Sequence, residues 1–133
     1  MIAHLLPQKY PFVMVDTLVQ YTETTLASAY TVPVEAVFVE DGLFLEGGVV
    51  EHMAQSVALH TGYAYHLRQE AAPTGYIGAI SQVEIAFLPK VGDLLESKVE
   101  ILQEFLGITL VDIQTYVSGE LLASAKMKTV IAS

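Results

Sequence analysis

Two short stretches hold the side chains best suited to moving protons. In Gly47-Gly48-Val49-Val50-Glu51-His52-Met53-Ala54-Gln55 one carboxylate, Glu51, interrupts a largely apolar, helix-forming run. An apolar flank disfavours the charged form of a carboxyl, raises its pKa and equips it as a proton donor near neutral pH. Gln55 stands at i+4, on the same helix face, where it can hydrogen-bond the Glu51 carboxyl or a water. The plainer reading of Glu51 is a structural carboxylate paired with an amide or a cation. Acids are seldom buried without a chemical reason, which favours the functional reading.

The second stretch, Leu5-Leu6-Pro7-Gln8-Lys9-Tyr10-Pro11-Phe12, places Gln8 beside a basic-aromatic-Pro-Phe run. An amide has no accessible pKa, so Gln8 cannot be a base; it can orient a carbonyl or a water, or be an ordinary polar loop residue. Four histidines are available, His4, His52, His60 and His66. His52 follows Glu51 directly and therefore points about 100° away around a helix. His60 and His66 lie farther along, where core or rim histidines are the commoner outcome. No two histidines have i, i+3 or i, i+4 spacing and cysteine is absent, so neither a metal nor any other cofactor is expected. Gly47 and Gly48 at the helix start offer free N–H groups that could polarise a carbonyl, or simply allow close packing.

These residues need elements to hold them. Residues 12–21 are rich in Val, aromatic and β-branched types and read as a strand, with residues 24–34 as its partner. Asp41-Gly42 marks a turn. From Gly48 to about Gln69, apolar residues recur at helical spacing, and so few polar ones intervene that the helix should be mostly enclosed. Ala71-Ala72-Pro73-Thr74-Gly75 ends it. Residues 76–88, 94–106, 108–117 and 121–131 read as four more strands, the last pair a hairpin around Ser118-Gly119. A long apolar helix among antiparallel strands calls for a curved sheet around it, an α+β arrangement in one domain spanning residues 1–133.

Composition narrows the possible partners. The 133 residues are 53% hydrophobic and 16% charged, which favours a buried interface with another chain. Six Lys and Arg against fifteen Asp and Glu, net charge -9, exclude a nucleic-acid binder. No basic-then-apolar leader pattern and no run of about 20 apolar residues appear, so no membrane span is expected and a cytoplasmic location is the default.

In order along the chain, Leu5-Leu6-Pro7-Gln8-Lys9-Tyr10-Pro11-Phe12-Val13-Met14-Val15-Asp16, Glu51-His52-Met53-Ala54-Gln55, Phe87-Leu88-Pro89-Lys90-Val91-Gly92-Asp93 and Ser118-Gly119-Glu120 resemble the bacterial 3-hydroxyacyl-ACP dehydratases of fatty-acid synthesis. The pattern is closest to divergent dehydratase-like proteins of aryl polyene or flexirubin pathways. The resemblance implies the hot-dog fold, a curved antiparallel sheet wrapped around one long central helix. It implies an acyl-ACP or acyl-CoA thioester as ligand, with a histidine base and a helix glutamate acid meeting across a dimer interface. Glu51 then stands at the acid, Gln8 replaces the histidine, and Gln55 supports the carboxyl. Gly47, Gly48, Tyr10 and Phe12 become substrate-binding candidates, with Phe44, Tyr63, Tyr65 and Phe87 as further candidates for the tunnel wall. The family's Gly-His loop before the helix is shortened here to Glu40-Asp41-Gly42-Leu43, and Leu45-Glu46 replace its Pro-Gly. Three activities are compatible: a dehydratase; a half-catalytic or non-catalytic subunit, in a homodimer or in a heterodimer with a histidine-bearing paralogue; and a thioesterase using Glu51 with the Gly47 and Gly48 amides. A binding module for acyl groups is a fourth reading.

Overall fold

A computed structural model describes residues 3–72 and 75–131. After a 3-10 turn, Ala3–Leu5, the elements are β1 (Thr17–Tyr21), β2 (Thr25–Thr31), β3 (Val39–Glu40), β4 (Leu43–Phe44), α1 (Glu46–Leu67), β5 (Gly75–Ile85), β6 (Leu94–Phe105), β7 (Ile108–Val117) and β8 (Glu120–Ile131). Six strands form one antiparallel sheet in the order β1-β2-β6-β7-β8-β5, and β3 and β4 form a separate hairpin about Asp41-Gly42. The sheet curves over α1, giving the expected hot-dog fold.

Two departures from the sequence reading have physical causes. The first strand begins at Thr17, not at residue 12, because the backbone groups of Phe12 and Met14 bond to side chains of α1 instead of to a neighbouring strand. The helix starts at Glu46, two residues early, with its first amides bonded to the Leu45 carbonyl. Of the stretch expected to end it, Pro73 and Thr74 lie outside the described residues.

The helix is not enclosed all round. One face carries Val49, Met53, Val57 and Leu59 into the core, against Leu26, Leu95, Val111, Ile113 and Met127 of the sheet. The alternation of buried and exposed residues along β6 and β7 lets the sheet cover that face, while its outer side mixes Glu96, Lys98 and Glu100 with exposed Leu94, Ile108 and Leu110. The other face, with Glu51, Ala54, Ala58 and Thr61, is only half-buried. At the sheet's edge β5 pairs with β8 alone, and Ile77, Ile80 and Val83 on it remain 38–41% exposed.

The two glycines at the helix start have a packing explanation. A Cβ on Gly48 would fall 2.5 Å from the Phe44 ring and 2.8 Å from the Phe38 Cβ, and one on Gly47 would fall 3.0 Å from the Phe38 ring. Gly48→Ala is therefore expected to destabilise the chain by about 2 kcal/mol through overpacking, read as a lowered urea midpoint with an unchanged slope. A neutral substitution would contradict this packing.

Candidate active site

Glu51 lies on the second turn of α1, and its surroundings follow from the spacing to Gln55. The Gln55 side chain is 1% exposed and all of its polar capacity is directed. Its Nε2 donates to Glu51 Oε2 at 2.9 Å and to the Phe12 carbonyl at 2.7 Å, while its Oε1 accepts the Met14 N–H at 2.6 Å. Because Oε1 is engaged by a backbone donor, the amide cannot turn over, and Nε2 must face the carboxylate. Among the described residues Glu51 Oε1 makes no hydrogen bond.

That carboxylate opens into a cavity of about 250 Å³ between the half-buried face of α1, the N-terminal segment and the strands at the β5 edge. Gln8 lines the same cavity, so one chain brings the two singled-out side chains to one space. The Gln8 Oε1 is buried and without a hydrogen-bond partner among the described residues. A buried acceptor of this kind costs about 1–3 kcal/mol unless a donor meets it. The remaining wall is mostly apolar or small, with Ala54, Val57, Ala58, Ile77 and Val130 typical of it, and Thr61 and Thr129 add two hydroxyls. These positions escaped the sequence reading, although Ala54 and Ala58 continue the Glu51 face at helical spacing and signal a groove rather than a packed seam.

Other candidates lie elsewhere. Tyr10 and Phe12 are 83% and 54% exposed and neither lines the cavity, although the Phe12 carbonyl anchors Gln55. Gly47 and Gly48 are also outside it, and the Gly48 N–H already donates to the Leu45 carbonyl at 2.9 Å. None of Phe44, Tyr63, Tyr65 or Phe87 lines it either; Phe44 is fully buried in the core.

The family model described as ApeP-like, ApeP dehydratase, matches residues 1–132. The chain belongs to the ApeP-like dehydratase family. The 3-hydroxyacyl-[acyl-carrier-protein] dehydratase FabZ of a Nitratiruptor species is 27% identical, covering 98% of this chain and 94% of its own. FabZ of Shewanella woodyi is 28% identical, covering 95% and 86%. Among solved structures, the dehydratase heterocomplex ApeI:P from Xenorhabdus doucetiae superposes with a TM-score of 0.92 at 18% identity, covering 99% of this chain and 91% of that one. A hypothetical thioesterase with coenzyme A from Streptococcus pneumoniae gives 0.70 at 13% identity, covering 88% and 85%. At these identities both structures establish the fold.

Against that ApeP-like background the histidines stand out by their absence from the cavity. Gln8 and residues 40–43, where the resemblance leads one to expect histidine, have none. His60 is nearly buried, bonded through Nε2 to the Thr22 carbonyl at 2.9 Å and packed on Tyr21. His4 and His66 meet edge to face at 5.3 Å at the far end of α1. His52 is fully buried, with Nδ1 2.7 Å from the Met14 carbonyl and Nε2 2.8 Å from Ser97 Oγ. Among the described residues the cavity is lined by an acid and an amide but no imidazole.

Burial pushes the His52 imidazole down to about 4, with the Met14 hydrogen bond opposing the shift. The unfolded chain takes up a proton near pH 6.5 that the folded chain refuses until about pH 4. Stability from neutral His52 is thus complete above pH 6.5 and lost as the pH falls towards 4, about 3 kcal/mol in all. Urea unfolding at pH 7, 5.5 and 4.5 should show this slope, and His52→Asn should flatten it; an equal slope in both would contradict the assignment.

Proposed function

We propose that the chain supplies the acid half of a site that dehydrates 3-hydroxyacyl thioesters, and that a second, histidine-bearing chain supplies the base. The observation that carries this is the Glu51–Gln55 pair, held rigidly and open to a cavity that has no imidazole on its wall. Dehydration removes a proton from C2 and expels the C3 hydroxyl as water, leaving a 2-enoyl thioester. The base takes the C2 proton, and the Glu51 carboxyl gives its own to the departing hydroxyl. Gln8, on the same cavity wall, orients the thioester carbonyl or the water formed. The apolar wall receives the acyl chain, and its carrier is ACP or coenzyme A.

Several observations support a second chain. The exposed apolar residues of β5 lie at the cavity's margin, since Ile77 both lines the cavity and sits on the free edge. An unpaired edge strand is a template for pairing. The FabZ relatives carry the dehydratase name over nearly their whole length, and ApeI:P is by its description a dehydratase heterocomplex. The thioesterase reading loses support because the Gly48 amide is engaged within the helix and Gly47 and Gly48 lie off the cavity.

The test is to assay 3-hydroxyacyl thioesters with the chain alone and after mixing with a histidine-bearing paralogue. Turnover should be weak or nil alone and appear on mixing, together with a heteromer by native mass spectrometry. Failure of the two chains to associate, or full activity of the chain alone, would overturn the proposal.

A further inference from the structure

We infer that His52 is a positioning residue for the Glu51–Gln55 pair, acting through the backbone of Met14. This rests on the reading of Glu51 as the acid. The segment around Phe12–Met14 has left the sheet, so its backbone polar groups lack a strand partner and must be satisfied otherwise. Two side chains of α1, three residues apart, do this for one residue. Gln55 Oε1 takes the Met14 N–H at 2.6 Å, and His52 Nδ1 meets the Met14 carbonyl at 2.7 Å.

The direction of every bond in the network follows from that carbonyl. A carbonyl only accepts, so Nδ1 carries the proton. In a neutral imidazole Nε2 is then an acceptor, and Ser97 Oγ must donate to it at 2.8 Å. Ser97 has spent its hydrogen, so Thr115 Oγ1 donates to Ser97 Oγ at 2.6 Å. Ser97 is 1% exposed, Thr115 and His52 not at all. The Tyr30 ring lies stacked on the imidazole, centroids 5.7 Å apart and 19° from parallel. The ring can neither titrate readily nor turn.

His52 is excluded as the base itself. It is sealed from solvent, both nitrogens are engaged, and it does not line the cavity. Its effect is indirect. The Met14 carbonyl and N–H lie on adjacent peptide planes joined at its Cα, so pinning the carbonyl restrains the N–H that holds Gln55 Oε1, and Gln55 Nε2 is thereby directed onto Glu51 Oε2. The buried hydroxyls of Ser97 and Thr115 are the far end of a chain whose near end is the carboxyl.

The experiment uses the full-length chain labelled with nitrogen-15 and reads the Gln55 side-chain amide, assigned by its disappearance in Gln55→Leu. His52→Asn keeps a donor near the Nδ1 position, whereas His52→Gln keeps a polar group near Nε2 and loses that donor. In His52→Gln the Gln55 amide hydrogens should exchange with solvent about tenfold faster than in the parent, as expected for loss of one buried hydrogen bond. In His52→Asn they should stay closer to the parent rate. Equal behaviour of the two variants, or an unchanged Gln55 signal in His52→Gln, would overturn the inference. If a variant does not fold, the ring nitrogen shifts of the unsubstituted chain decide: a proton on Nδ1 supports the network and a proton on Nε2 overturns it. None of these readouts requires turnover, so a Glu51→Gln variant that stayed active would refute the functional reading while leaving the His52 result standing.

Discussion

Glu51→Gln is expected to reduce dehydration by about 10²- to 10⁴-fold, the usual contribution of a positioned general acid. The substitution preserves the shape and one acceptor oxygen and removes the acidic proton and the charge, so the fold should be kept. Glu51 is half-buried and stands beside Gln55 Nε2 at 2.9 Å. In the variant, that contact is retained if the new amide presents its oxygen to Nε2. A loss in kcat with little change in KM would place the effect in the transition state rather than in substrate binding. Turnover within a few-fold of the parent, measured in the active assembly, would remove Glu51 from the chemistry.

Gln55→Ala should act on both stability and turnover. It strips partners from the Met14 N–H, which is buried, and from the Phe12 carbonyl, which is only partly so, and leaves a void where the sealed Gln55 side chain was. One buried orphaned N–H at about 1–3 kcal/mol, with the cavity added, gives a loss of about 3 kcal/mol. That is a large share of the stability of a domain this size. Urea unfolding measures it directly; a cost below about 1 kcal/mol would mean that water replaces the amide without penalty. The same variant frees the Glu51 carboxylate, so its turnover should fall even at temperatures where it remains folded.

The helix was the most legible element, because Met53, Val57 and their neighbours keep a helical period over more than four turns. The hairpins followed from glycine and alternation. The segment from Phe12 to Asp16 was misread because its β-rich composition matches a strand, while its real partners, Gln55 and His52, are about forty residues away and visible only in three dimensions. Glu51 and Gln55 were legible as a pair since i and i+4 must share a face. Tyr10 and Phe12 lie off this cavity, and their types alone could not show it: nothing local dictates which way an irregular segment turns its side chains. The role of His52 was hidden for a related reason. Its helical position excluded it from the acid's face, and the Met14 carbonyl it serves comes from the segment taken for a strand. The absence of a histidine from the cavity, by contrast, is legible in part at Gln8, which lines it.

One measurement addresses the composite site most directly. A histidine-bearing partner whose own helix carboxylate has been changed to glutamine is mixed with this chain, and dehydration of a 3-hydroxyacyl thioester is followed. The expected result is no turnover from either chain alone, turnover from the mixture, and its loss when the chain added is Glu51→Gln. Turnover by a stable mixture that survives Glu51→Gln, or none from the unsubstituted mixture despite a stable heteromer, would contradict the account.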